Sequence, residues 1–103
     1  MYKMVFFVPE SHLEAVKQAV FSAGAGSIGR YDQCCWQTLG EGQFRPLAGS
    51  QPFSGQQHQL SRAPEWRVEL VCHAEHIRAA KQALLQAHPF EEPAYDIWPL
   101  ANV

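Results

Sequence analysis

A chain of 103 residues and 11.6 kDa has the size of one domain, and its 47% hydrophobic and 17% charged residues support a buried core and exclude intrinsic disorder. Eight Lys+Arg against ten Asp+Glu leave a net charge of −2, which offers no attraction to a phosphate backbone and makes nucleic acid a poor partner. The opening MYKMVFFVPE is too short an apolar run for a signal region or a bilayer span, so a cytoplasmic protein with no membrane partner is expected.

In chain order, residues 3–8 come first. They are rich in Val and Phe at successive positions, as in a strand covered on both faces, and Pro9 closes the run. Ser11 and Glu14 form an S-x-x-E pattern, which predicts a helix start with reciprocal capping. Leu13, Val16, Ala19, Val20 and Ala23 then recur at three- and four-residue steps. One apolar stripe results, ending near Ala23, with Gly24 at the left-handed C-cap position.

Residues 28–38 suggest the next strand. Residues 39–64 are less regular. Gly40-Glu41-Gly42 predicts a hairpin turn between residues 35–38 and 43–45, and residues 50–63 are expected to form a mobile surface loop. Residues 67–72 again suggest a strand. The stripe Ile77, Ala80, Ala83, Leu84 and Ala87 places a second helix over 75–87, and residues 94–99 supply a last strand.

The second strand-helix unit repeats the first without a gap. His12, Ala15, Lys17, Gln18, Ala19 and Ala23 match His76, Ala79, Lys81, Gln82, Ala83 and Ala87, each pair 64 positions apart. Two such units, each followed by a further strand, give a single ferredoxin-like βαββαβ domain of the α+β class over residues 1–103. Two helices would lie on one face of an antiparallel sheet, with the first and third strands central. The other face would carry Trp36, Trp66 and Tyr31, an apolar surface that a second subunit would cover.

The densest set of reactive side chains is HPFEEPAYD, residues 88–96. Pro89 and Pro93 stiffen the turn and present Glu91 and Glu92 in a fixed geometry beside His88. Imidazole and carboxylates in that arrangement suit a divalent metal ion, with His88, Glu91 and Glu92 as ligands, or the capture of a basic partner side chain. Alternatively, His88 and Glu91 cap the preceding helix and lock a subunit contact. Gly24, Gly26 and Gly29 match G-x-G-x-x-G, but a helix precedes them and a strand follows, the reverse of a dinucleotide site. His12 and His76 sit at equivalent helix starts, and His73 with His76 lacks a further ligand. Cys34, Cys35 and Cys72 form neither a disulfide framework nor a paired zinc motif, and no catalytic set is identifiable from spacing.

Taken together, GAGSIGRYDQCCW, GEGQFRPLAGSQP and HPFEEPAYD resemble the small CutA/PII-like domain inserted in YqfO-type members of the Nif-three family, and its stand-alone relatives. The last segment is also similar to the H-P-Y-E-x-P stretch of CutA proteins, with Phe90 in place of Tyr. The resemblance covers nearly the whole chain and implies a trimer with a regulatory or binding role. It implies a small-ligand or partner-protein site at a subunit cleft; the proline-bracketed acidic turn and the uncovered sheet face suggest that His88, Glu91 and Glu92 of one copy face Tyr31, Cys34 and Cys35 of the next there. The larger family's two-metal site lies in domains absent from this sequence, so its hydrolase chemistry is not implied.

Overall fold

The computed structural model describes all 103 residues. The chain forms β1 (Tyr2–Val8), a 3-10 turn (Glu10–His12), α1 (Leu13–Ser22), β2 (Trp36–Phe44), β3 (Ser61–Cys72), α2 (Ile77–Ala87) and β4 (Tyr95–Pro99). The strands pair antiparallel in the order β2-β3-β1-β4, so β1 and β3 are central and the fold is the expected ferredoxin-like α+β arrangement. No helix is long and apolar enough to cross a membrane.

Alternation along β1 sends Met4, Phe6 and Val8 to the helix side of the sheet, where they meet Val68, Leu70 and Cys72 of β3. Leu13, Val16 and Val20 of α1 and Ala80 and Leu84 of α2 close the core over them. Each large side chain buried there contributes roughly 1.5–3 kcal/mol. Val5 points the other way and is still only 1% exposed, being flanked by Glu69 and Asp96 on the neighbouring strands. That two-sided burial is what the unbroken apolar run of β1 encodes.

Several local expectations are corrected. The Ser11–Glu14 capping box does not form, because Ser11 lies in the 3-10 turn and its hydroxyl meets His12 Nδ1 at 2.8 Å, while Glu14 pairs with Lys17 at 3.1 Å. Residues 28–35 are not a strand. Ile28 and Tyr31 make one isolated bridge, Gln33 is left-handed (φ 54°), and β2 begins only at Trp36. Gly24 does adopt a left-handed conformation (φ 107°) after α1, beneath the His76 ring.

Gly40 and Gly42 form no turn; they pair with Glu65 and Ala63 in mid-strand. The reason lies across the ladder, since a Cβ on Gly42 would fall 2.6 Å from Glu65 Oε1, so the missing side chain leaves room for that carboxylate. β3 starts at Ser61, earlier than expected, and includes Pro64, which proline can occupy because this stretch has β2 on one side and no strand on the other. Trp66 is on the helix side, packed against the core, and so does not belong to the bare face.

β1 ends opposite Trp66, so residues 61–65 of β3 pair with β2 alone. This two-stranded ribbon projects from the core and stretches the molecule to 46 × 26 × 24 Å. The radius of gyration is 14.6 Å, against about 13 Å for a compact chain of this length.

Candidate functional site

His88 ends α2 and starts the HPFEEP turn. Its backbone N–H donates to Leu84 O, and its ring is buried beside the end of β1. Nε2 lies 2.7 Å from Phe7 O, and the Phe90 N–H donates to Nδ1 at 3.1 Å. Since a backbone amide can only donate and a carbonyl only accept, the ring is the neutral tautomer protonated on Nε2. Burial pushes its pKa below the ordinary value and the nearby His12 adds to that, whereas the bond to Phe7 opposes it. The Phe7 N–H donates in turn to Ala94 O, so both ends of the turn are fastened to β1.

Both ring nitrogens are therefore engaged, and the expected metal set of His88, Glu91 and Glu92 is not assembled. No group of three or more His, Cys, Asp or Glu residues is placed to hold a metal ion. The ring also does not cap α2; it reaches across to another element. Glu91 accepts the Gln51 N–H at 3.1 Å, tying the turn to the connection 45–60. Phe53 of that connection lies between His12 and Phe90, with ring centroids 5.4 and 5.9 Å away, and Phe90 meets His88 in a tilted contact at 4.8 Å.

Between ribbon, connection and turn lies a cleft of about 410 Å³. Phe44, Phe53 and Phe90 supply aromatic walls, Pro46 and Pro52 shape the connection, and Glu65, Glu91, Glu92 and Arg45 bring charge. Glu65 is half-buried, and desolvation raises its pKa above the usual carboxylate value. Sequence reasoning identified Glu91 and Glu92 but missed Phe44, Phe53 and Glu65, because residues 50–63 read as a free loop and nothing in the sequence brings the stretches on either side of it to the HPFEEP turn. The proline pair Pro46 and Pro52 was the available signal that this connection holds a shape.

Tyr31, Cys34 and Cys35 do not line this cleft. They sit near the opposite end of the sheet, where Cys34 N–H donates to Gly26 O and Gly26 N–H donates to Val71 O near the end of β3. Tyr31 is 76% exposed, Cys35 packs on the core, and the thiols are free.

No protein-family model matches the chain. A protein of Halalkalibacterium halodurans named GTP cyclohydrolase 1 type 2 homolog is 41% identical over 102 residues, covering 99% of this chain and 27% of that protein. The crystal structure of a Bacillus cereus protein related to NIF3 superposes with a TM-score of 0.83 and 42% identity, over 98% of this chain and 26% of that one. This chain is a relative of one segment of the NIF3-related proteins. It spans about a quarter of the length of the curated NIF3-related relatives it matches. The PII-like protein CutA from Nostoc sp. PCC 7120 has a TM-score of 0.68 at 14% identity, over 97% of this chain and 81% of that one. At that identity the likeness establishes the fold alone, so the NIF3-related segment has a CutA/PII-like architecture.

Proposed function

We propose that residues 1–103 act as one cytoplasmic domain, a trimeric binding or regulatory module that self-associates through the helix-free face of its sheet and takes a ligand at the cleft beside the HPFEEP turn. The observation that carries this reading is the exposure of two tryptophans on that face, Trp36 at 59% and Trp98 at 40%. Strand alternation places them with Val5, Phe7 and Val71, and the register sets Trp98 opposite Lys3 and Trp36 opposite Glu69. An apolar centre carries charges of both signs, Lys3 and Arg67 against Glu69 and Asp96, so different parts of the face can meet on neighbouring copies, as a closed threefold ring requires.

Tyr31, Cys34 and Cys35 reach the cleft, in this reading, only from a neighbouring copy. The relatives' name refers to GTP chemistry in proteins about four times longer, and no catalytic set in this segment supports carrying it over. Multi-angle light scattering at micromolar concentration tests the proposal. A mass three times 11.6 kDa is expected. A monomer overturns it.

A further inference from the structure

The cleft has a chemical bias that the binding-module reading does not specify. Its volume of about 410 Å³ lies in the range of small-molecule sites, roughly 300–1,000 Å³. Its charge is lopsided, with Glu65, Glu91 and Glu92 against Arg45 alone. None of those three carboxylates is in an ion pair; the chain's salt bridges use Glu14, Glu41, Glu69 and Glu75. Glu91 commits one oxygen to the Gln51 N–H, whereas Glu65 lies half-buried over Gly42 and receives no hydrogen bond from the chain.

A partly desolvated carboxylate without a donor gains most from a cation. The aromatic walls act in the same direction, since the faces of Phe44, Phe53 and Phe90 attract positive charge and accept apolar surface. A phosphate-bearing ligand would meet three like charges instead. We propose that this cleft binds a small organic cation, a protonated amine carrying an apolar group, with Glu65 as the principal charge partner and Phe53 and Phe90 against the apolar part. The inference rests on the reading of the chain as a binding module and names the ligand class of its cleft.

The test titrates the full chain with phenethylammonium and, at equal ionic strength, with the neutral 2-phenylethanol and the anionic phenylacetate. Calorimetry gives affinity, amide NMR shifts at Gly42, Phe53 and Phe90 give location, and light scattering gives mass on the same samples. The ammonium is expected to bind about tenfold more tightly than the alcohol, and phenylacetate not at all. Glu65→Gln should remove most of that preference. Glu92→Gln, on the exposed turn, should reduce it less and serves as a variant whose folding is not in question. An absent ammonium response at millimolar concentration, equal affinity for the alcohol, or a preference unchanged in both variants overturns the proposal. A silent trimer rejects the ligand and leaves the assembly standing, and a monomer that binds ammonium does the reverse.

Discussion

The sheet has two regions that differ in what supports them. From Trp66 onward β3 pairs with β1 beneath the helices, with β2 on its other side as far as Glu69, and Val68, Leu70 and Cys72 are buried. Before Trp66 it has only β2 beside it, and residues 61–65 include no buried side chain. β2 itself has none along its whole length, and within 36–65 only Pro46 is buried. Stability thus resides in the core half, while the ribbon and the connection 45–60 supply most of the cleft walls. A two-stranded ribbon is marginal by itself, so this arm depends on the contacts of its connection and on any neighbour it meets.

Substitutions can break that contrast. Phe6→Ala should destabilise the protein by about 3–5 kcal/mol in urea unfolding, whereas Phe44→Ala on the ribbon should cost less than about 1 kcal/mol. Similar losses would mean the arm belongs to the core. His88→Ala should cost about 1–3 kcal/mol, because it leaves Phe7 O without its donor where the turn meets the core.

The same ring sets an acid dependence. Held neutral in the fold and charged in the unfolded chain below its ordinary pKa of about 6.5, it makes unfolding take up a proton. Its stabilisation is therefore present above that value and is lost as pH falls through the lowered folded pKa. Denaturation midpoints measured between pH 7.5 and 5 should decline in the native protein and decline less in the His88→Ala variant.

On the arm, Gly42→Ala should change stability little, because the atom it crowds is the far end of the flexible Glu65 side chain. It should nonetheless weaken ammonium binding by displacing that carboxylate. The smallest effect is expected from metals. Copper, zinc or manganese should produce no heat that the His88→Ala variant abolishes, because both ring nitrogens are already bonded.

The core half was legible in the sequence because its signals are local and periodic. The Val- and Phe-rich run of β1, the two apolar stripes and the 64-residue repeat place four elements and the central strands. The arm was not, because its glycines and proline ordinarily mark turns. Gly40, Gly42 and Pro64 make sense as strand residues only once Glu65 is seen lying over Gly42 across the ladder. At the candidate site, the prolines correctly singled out a rigid HPFEEP turn. What His88 does there depends on Phe7, 81 positions earlier, and spacing along the chain carries no trace of that partner. The capping pattern at Ser11 failed for a nearer reason: the His12 ring competed for the hydroxyl.

The connection 45–60 is joined to the HPFEEP turn by the bond from the Gln51 amide to Glu91 and by the Phe53 ring contact, and it shares no buried residue with the core cluster. Selection can therefore rewrite this stretch almost independently of the rest. Lineages that exchange its residues, or lengthen it at Gly49 or Gly55, whose glycine positions are left-handed and uncrowded by backbone, would reshape the cleft walls while inheriting an unaltered scaffold.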